Sequence, residues 1–257
     1  MAIFVSGSDE TAGRTQRDTF LLGGWLAPEP DWSRFFAPAW QERVLDGPPT
    51  IPYLHMTDIR SSKWRDQCGI SKLDADDRID SAIHLIDTMP SLYPVGIRVD
   101  AGFLRDRFAN IKVKTLHLNA KARAFEPDFI CFVFYAWVAV NYLKLFHPDA
   151  EKLDFIVERN GAVTNHIQDF HSTLAENLGV LGNASLANLV GEIVPGGKDR
   201  VPLQAADVLC WHTARARHPE TMDLADRRRY SILAHRKGRY QEFTRDQISQ
   251  MAKALGV

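Results

Sequence analysis

The sequence predicts a single α/β domain in which a mixed sheet is flanked by helices. Short runs of β-branched and aromatic residues alternate with longer segments in which apolar residues recur every three or four positions, and this alternation is typical of such domains. The chain has 257 residues, of which 45% are hydrophobic, so it can bury one sizeable core. Because neither an internal repeat nor a low-complexity linker divides the sequence, we assign residues 1–257 to one domain.

The first part of the chain is predicted to form a hairpin, a helical insertion and a third strand. The hairpin strands are expected at Ala2–Ser6 and Thr19–Leu26, and the third strand at Tyr93–Val99. The insertion extends from about residue 28 to residue 92 and contains two helices, the second of which runs from Asp74 to Met89. Its first helix has five aromatic or apolar residues at helical spacing: Trp32, Phe35, Phe36, Trp40 and Val44.

The middle of the chain combines the most apolar segment with a short buried strand. The segment Phe129–Phe146 is interrupted by Asn141 and Lys144, so we predict a core helix rather than a membrane span. The strand Leu153–Glu158 is rich in β-branched and aromatic residues and stops at the turn Arg159-Asn-Gly. Both elements are therefore expected to lie in the centre of the domain.

Three more core elements and an extension follow. Thr164 is expected to cap a helix, Leu186–Val194 to form a strand, and Val201–His212 to form the last core helix. Residues from about 218 to 257 are predicted to form a C-terminal helical extension.

Composition excludes several classes of protein. The formal net charge is -1 and the pI is about 6.8, so any contact with nucleic acid must come from a local basic patch. The three cysteines, Cys68, Cys131 and Cys210, lack C-x-x-C spacing, which argues against a disulfide framework or a zinc ribbon and fits reduced thiols. The N-terminus lacks the pattern of a signal peptide. We therefore expect a cytoplasmic protein without a membrane partner.

Asp207 lies on an apolar face of the helix predicted from Val201. Its neighbours on that face, at helical spacing, include Leu203, Cys210 and Trp211. An ionised group on a core-facing surface is costly unless it is hydrogen-bonded, paired or bound to a metal. Gln204 or a backbone amide could satisfy it in an ordinary core, and a metal ion could satisfy it in a functional site.

Glu158 is the last residue of the strand that begins at Leu153. In open α/β sheets, ligands bind where strands end and helices begin. Glu158 and Asp207 are therefore expected to meet in one crevice, where two carboxylates repel each other unless a cation lies between them. Oxygen ligands of this kind suit Mg²⁺ or Mn²⁺. The alternative for Glu158 is a surface salt bridge with Arg159 or another basic neighbour.

His55 lies in the short apolar piece Tyr53–Asp58, which is followed by a polar stretch, residues 60–71, that reads as a loop. A single histidine in such a piece is often a hydrogen-bonded packing residue. In a catalytic site it would position a phosphate or transfer a proton.

A run of basic residues lies between Arg227 and Arg239 and is interleaved with Tyr230. Clustered cations neutralise backbone phosphates, and an adjacent tyrosine can stack on an unpaired base. The alternative is an ordinary solvated surface. The residues that would contact nucleic acid are Arg227, Arg228, Arg229, Arg236 and Lys237.

Without the insertion, the predicted elements follow the order strand, strand, strand, helix, strand, helix, strand, helix, which is similar to that of the ribonuclease-H-like fold. More closely, the chain resembles the bacterial and phage family known as domain of unknown function 3800. The resemblance rests on four pieces that together span most of the chain, with the last the most specific: Ser6–Glu10, Leu54–Met56, Phe155–Glu158 and Pro202–Asp207.

The resemblance implies a divalent-metal-dependent nuclease or other phosphodiesterase in which Glu158 and Asp207 hold Mg²⁺ or Mn²⁺. The family usually begins with a strand of the form Asp-Glu-Ser-Gly, and the first-strand aspartate is replaced here by Ser6. Asp9 or Glu10, a few residues further on, could return the missing carboxylate to the site, and Asp9 is the candidate for the third ligand. His55 is the candidate for the residue that positions the phosphate or transfers a proton. The alternative is a non-catalytic module that has lost the first-strand aspartate and binds a nucleic acid or a protein.

Overall fold

A computed structural model describes residues 2–11, 19–108, 112–113, 123–124, 127–159 and 184–254. It confirms an α/β chain with a mixed sheet flanked by helices. The strands are β1 (Ala2–Thr11), β2 (Thr19–Pro28), β3 (Tyr93–Asp100), β4 (Lys112–Val113), β5 (Arg123–Ala124), β6 (Ala150–Glu158), β7 (Val190–Gly196) and β8 (Arg239–Phe243).

The main sheet has six strands in the order β7-β6-β1-β2-β3-β8. Strand β2 pairs in antiparallel fashion with β1 on one side and with β3 on the other. The hairpin predicted for β1 and β2 is therefore confirmed. Strand β6 is parallel to β1, β7 is parallel to β6, and β8 is parallel to β3. The short strands β4 and β5 form a separate antiparallel pair. The strands β1, β6 and β7 run in the same direction, so their C-terminal ends lie at the same end of the sheet. Glu158, the last residue of β6, is located there.

The helices are α1 (Ala37–Trp40), α2 (Met56–Arg60), α3 (Ser62–Cys68), α4 (Lys72–Thr88), α5 (Ala101–Phe108), α6 (Pro127–Phe146), α7 (Ala184–Ala187), α8 (Val201–Arg215), α9 (Leu224–Ala234) and α10 (Arg245–Ala254). Two π-helical segments, Asp31–Phe36 and Gln41–Leu45, extend α1 on both sides.

Helix α6 covers one face of the sheet. It is apolar on all sides, and its residues from Cys131 to Val140 are buried, apart from the partly buried Trp137. The ring centroids of Phe132 and Phe155 lie 5.5 Å apart and join the helix to β6. No helix in the described part of the chain is long and apolar enough to cross a membrane.

Helix α8 covers the opposite face and packs closely on β1 and β2. A Cβ atom at Gly7 would lie 2.4 Å from the carbonyl oxygen of Pro202, and one at Gly23 would lie 3.0 Å from Sγ of Cys210. A side chain at Gly7 would therefore force the helix away from β1. This close contact fixes the position of the helix that carries Asp207.

The insertion packs beside α8 and contains more helix than the sequence predicts. Its first helix buries Trp32, Phe36, Trp40 and Val44 as expected, but Phe35 is 60% exposed. The stretch 60–71, predicted to be a loop, lies largely in α3. This polar stretch forms a helix because Gly69 adopts a left-handed conformation that ends it and Arg65 donates hydrogen bonds to the carbonyls of Ile59 and Arg60.

Two predictions for the second half of the chain differ from the structure. The strand expected at Leu186–Val194 begins only at Val190 and is preceded by α7. The extension from about 218 to 257 is not purely helical, because β8 adds to the sheet edge beside β3. The helix expected from Thr164 falls outside the described residues.

Candidate functional site

Two side chains of α8 hold the segment that carries His55. The Oε1 atom of Gln204 accepts hydrogen bonds from Leu54 N at 2.9 Å and from Nε1 of Trp40 at 2.8 Å. The Oδ2 atom of Asp207 accepts a hydrogen bond from Met56 N. Gln204 is 2% exposed and Asp207 7% exposed. A backbone amide, one of the partners considered for Asp207, therefore does bond to this carboxylate. The same hydrogen bond holds the segment that carries His55 beside α8.

Glu158, Asp207 and His55 line one small pocket. Glu158 comes from the end of β6, Asp207 from α8 and His55 from the insertion. The pocket encloses about 20 Å³, and its other lining residues are Leu54, Lys198, Leu203 and Gln204. A space of this size holds one water molecule or one ion. The predicted convergence of Glu158 and Asp207 is therefore present.

Lys198 is a residue of this pocket that the sequence did not single out. It lies in the turn between β7 and α8, and its Nζ atom is 3.0 Å from Oδ2 of Asp58 and 3.4 Å from Nδ1 of His55. The same ammonium lies 5.5 Å from the ring centroid of Tyr53. The sequence did contain a signal that could have identified Lys198. The residue lies in the loop that leads into the helix of Asp207, and ligands often bind where strands end and helices begin.

Lys198 and Asp58 stabilise each other's charged forms. Burial would by itself raise the pKa of Asp58, but the hydrogen bond from Lys198 and electrostatic interactions with His55 and Lys198 bring it below its usual value. Burial would by itself lower the pKa of Lys198, but the hydrogen bond and charge of Asp58 raise it, with a smaller contribution from Glu158. The pocket therefore contains an ammonium group at neutral pH.

Within the described part of the chain, the amide nitrogen of Gln204 has no hydrogen-bond partner. Both partners of its Oε1 are N–H donors, so the orientation of the amide is fixed by chemistry. Its Nε2 atom is buried and lacks an acceptor. Buried donors without a partner are uncommon in folded proteins.

The register of β1 distinguishes Asp9 from Ser6. Gly7 is aligned with Ile156 and faces α8, whereas Ser6 is aligned with Phe155, whose ring packs against α6 on the opposite face. Since alternate residues of a strand share a face, position 9 belongs to the face of Asp207 and position 6 does not. The backbone of Asp9 pairs with Gly23. Its side chain lies outside the described residues.

The predicted metal site is incomplete within the residues described. No group of three or more His, Cys, Asp and Glu side chains is arranged there to hold a metal ion. Glu158 and Asp207 supply oxygen atoms of the kind that Mg²⁺ and Mn²⁺ prefer. A third carboxylate would have to come from a side chain outside those described, for which the sequence offers Asp9.

The predicted basic patch has to be corrected for two of its residues. Arg229 is 2% exposed and is paired with acidic side chains of α4 and α9, so it cannot reach a phosphate. Arg236 donates hydrogen bonds to the backbone carbonyls of residues 87, 89 and 92. Arg227 is exposed but also donates to two carbonyls. Arg228 and Lys237 are exposed at the surface.

No family model, curated protein or solved structure matches the chain.

Proposed function

We propose that the chain is a divalent-metal-dependent phosphodiesterase, most simply a nuclease, built on a ribonuclease-H-like fold of the domain of unknown function 3800 type. One observation carries the proposal. Glu158 and Asp207 come from elements far apart in the sequence and line a space of about 20 Å³, the size of one ion.

The order of elements along the chain supports the fold assignment. Three antiparallel strands, β1 to β3, are followed by helix α6, the parallel strands β6 and β7, and helix α8. The insertion between β2 and β3 and the extension after α8 leave this order unchanged. Glu158 then occupies the end of the fourth core strand and Asp207 the last core helix.

The donor set fits Mg²⁺ or Mn²⁺ through Glu158, Asp207 and, by its strand position, Asp9. The ion would supply a Lewis acid for the phosphate and would lower the pKa of a water molecule. The close contact of Gly7 with Pro202 brings β1 next to α8, which carries Asp207. In this proposal Asp9 takes the role of the family's first-strand aspartate, whose place in the sequence is occupied by Ser6.

His55 and Lys198 supply the groups that act on the substrate itself. The Nδ1 atom of His55 lies 3.1 Å from Oδ2 of Asp58, which leaves Nε2 as the nitrogen that can exchange a proton with the substrate or with water. The ammonium of Lys198 neutralises charge on the phosphate. Asp58 orients both groups.

The test is a pair of variants, Glu158→Gln and Asp207→Asn, assayed for Mn²⁺ binding and for cleavage of single-stranded and duplex oligonucleotides. Both variants should lose Mn²⁺ affinity and cleavage, because one charged ligand is removed in each. The fold should persist, since an asparagine oxygen at position 207 still accepts the hydrogen bond from Met56. Glu192→Gln, at an exposed position on β7, is the matched control. Cleavage retained in both variants would move the chemistry elsewhere.

A non-catalytic module on the same fold is the second candidate. It is favoured by the lack of a three-ligand group among the side chains that can be described. This candidate predicts oligonucleotide or protein binding without Mn²⁺ affinity. Mn²⁺ titration of the parent protein separates the two candidates.

A further inference from the structure

A second cavity lies between α8, α9 and the strands β3 and β8, at the edge of the sheet that β8 forms. We call it the edge cavity. It encloses about 470 Å³, which is within the range of about 300–1000 Å³ typical of small-molecule sites. It shares no described lining residue with the pocket of Glu158 and Asp207. Its aromatic and charged lining residues are Tyr230, Tyr240, Arg98, Arg236 and Glu242.

The ring of Tyr240 lies on the sheet at a place where glycine leaves room for it. Gly23, Gly96 and Tyr240 are cross-strand neighbours on β2, β3 and β8. A Cβ atom at Gly96 would lie 2.4 Å from Cε1 of Tyr240, and one at Gly23 would lie 3.7 Å from the tyrosine hydroxyl oxygen. The side chain of Tyr240 therefore extends from the edge strand across β3 towards β2, and it can do so because Gly96 has no side chain.

The two ends of the Tyr240 side chain have different surroundings. The hydroxyl is hydrogen-bonded to the side chain of Thr213 and is buried, and burial raises its pKa well above the usual value. Tyr240 as a whole is nevertheless 44% exposed, so the exposed area belongs to the ring and to the backbone of the edge strand. The ring borders the edge cavity and is held in place by its buried end. It therefore offers a preformed surface on which a planar group can stack.

Among the described residues that line the edge cavity, two guanidinium groups accompany one carboxylate. Arg236 donates its hydrogen bonds to the backbone carbonyls of residues 87, 89 and 92, and the carboxylate of Asp87 that attracts it is exposed. Arg98 pairs with Glu242, but Nη1 and Oε2 are 3.5 Å apart and the Glu242 side chain is 66% exposed. Because such an exposed ion pair contributes little, Arg98 can turn to an anionic group of a ligand.

The positions of Arg98 and Tyr240 suit a ligand that joins a planar ring to a phosphate. Arg98 lies two residues after Gly96 on the same face of β3, roughly 7 Å along the strand from the position that pairs with Tyr240. A guanidinium group binds phosphate through two parallel hydrogen bonds. Glu242, which pairs with Arg98, can accept hydrogen bonds from sugar hydroxyls.

We infer that the edge cavity binds a nucleotide, with the base stacked on the ring of Tyr240 and the phosphate held by Arg98. The inference goes beyond the proposed function and does not depend on it, because no residue of the edge cavity belongs to the set that would hold Mg²⁺ or Mn²⁺. Arg236 contributes positive charge, while its hydrogen bonds to the backbone keep it in place.

The first experiment is calorimetric titration with adenosine 5′-monophosphate in EDTA, which removes divalent cations and prevents metal-dependent cleavage. The parent protein should bind this nucleotide at least about 10-fold more tightly than adenosine, which lacks the phosphate and its charge-assisted hydrogen bonds. Arg98→Met should bind the two compounds equally. Arg43→Met, at an exposed position of the insertion, is the matched control and should keep the preference of the parent.

The second experiment separates stacking from a structural role of Tyr240. Tyr240→Leu should weaken nucleotide binding by about 5-fold or more, because the stacking surface is lost. Tyr240→Phe keeps the ring and loses only the hydroxyl, so it should bind as the parent does. Phe35→Leu, at an exposed aromatic residue of the insertion, is the matched control. Thermal unfolding of each variant verifies that it is folded.

A short oligoadenylate in the same titration separates two sources of the same chemistry. Displacement of the mononucleotide by the oligonucleotide assigns the cavity to a nucleotide unit within a strand, and mononucleotide binding that the oligonucleotide leaves unchanged assigns it to a free nucleotide.

Two results would overturn the inference: a parent protein that binds neither compound, and equal nucleotide affinity in the parent, Tyr240→Leu and Arg98→Met. Neither result affects the proposed function, because Mn²⁺ affinity and cleavage are measured separately. A parent protein that binds the nucleotide in EDTA but lacks Mn²⁺ affinity would overturn the proposed function alone.

Discussion

Two clusters of charged side chains lie on the same face of the sheet and differ in how tightly their members are joined. In the first, Arg229 donates to Asp76, Asp80 and Asp226, and Arg60 donates to Asp76 and Asp226. These arginines join the insertion to α9. We call these five residues the closed cluster.

The second, which we call the open cluster, consists of His55, Asp58, Glu158, Lys198 and Asp207. Its single ammonium is partly exposed, and the space between its members is the size of one ion. Both clusters combine three carboxylates with cations, yet the members of the closed cluster are joined directly by hydrogen bonds, whereas members of the open cluster line a space of about 20 Å³. Residue types alone therefore do not separate a structural network from a candidate binding site; the contacts between the members and the space beside them do.

The largest effect on stability is expected from Arg229→Met in the closed cluster. Asp226, whose side chain is 5% exposed, would lose a partner inside the protein, and the free energy of unfolding should fall by about 3–5 kcal/mol. Lys198→Met in the open cluster should change it by less than about 1 kcal/mol, because that ion pair is partly exposed. Denaturant unfolding measures both.

Arg228→Ala, one residue before Arg229 and exposed, is the control and should stay within about 0.5 kcal/mol of the parent. Equal losses in Arg229→Met and Lys198→Met would remove the distinction between the two clusters.

His212 predicts an acid-sensitive step beside the closed cluster. Burial lowers its pKa from 6.5 to about 4, and the nearby Arg229 and Arg60 also oppose protonation, while Asp226 and the carbonyl of Val208 favour it. Above pH 6.5 the histidine is neutral in both states and contributes nothing to pH dependence. As the pH falls from 6.5 towards 4, only the unfolded state gains the proton, so stability should fall by up to about 3 kcal/mol.

The measurement compares urea unfolding at pH 7 and pH 4.5 for the parent and for His212→Asn. The variant should lose less stability on acidification, because other titrating groups are common to both proteins. His84→Asn, at an exposed position of α4, should follow the parent. A pH dependence that is identical in the parent and in His212→Asn would show that His212 is not the acid-sensitive group.

The smallest effect is expected at the surface cations that belong to neither cluster. If Arg228 and Lys237 contact nucleic acid, replacing both by alanine should lower the slope of log affinity against log salt by up to about 2. Filter binding of a single-stranded oligonucleotide between low and physiological salt provides the slope. An unchanged slope would mean that these residues are ordinary surface charge.

Local patterns were sufficient to predict most of the sheet and the helix of Asp207. The alternation of β2 and β3, the apolar run of α6 and the turn after Glu158 are encoded within short stretches of sequence. The meeting of Glu158 and Asp207 followed from a general rule about strand ends.

Other features depend on which distant segments meet. Gln204 was considered as a partner for Asp207, but its amide nitrogen makes no hydrogen bond to a described residue, and the carboxylate accepts from Met56 N instead. Strand β8 could not be recognised because its partner β3 lies far away in the chain. The choice between Ser6 and Asp9 needed the strand register, since a shift of one residue exchanges the two faces.

The hydrogen bonds between α8 and the insertion also determine when the pocket can form during synthesis. Leu54 and Met56 bond to residues that lie 150 and 151 positions later in the chain. Chains emerge from the ribosome N-terminus first, so the insertion has no partner for these two amides until α8 has been made. A nascent chain that stops before Gln204 therefore contains Glu158 and His55 but lacks the side chains that hold Leu54 and Met56, and any cation-dependent activity begins only after α8 has been made.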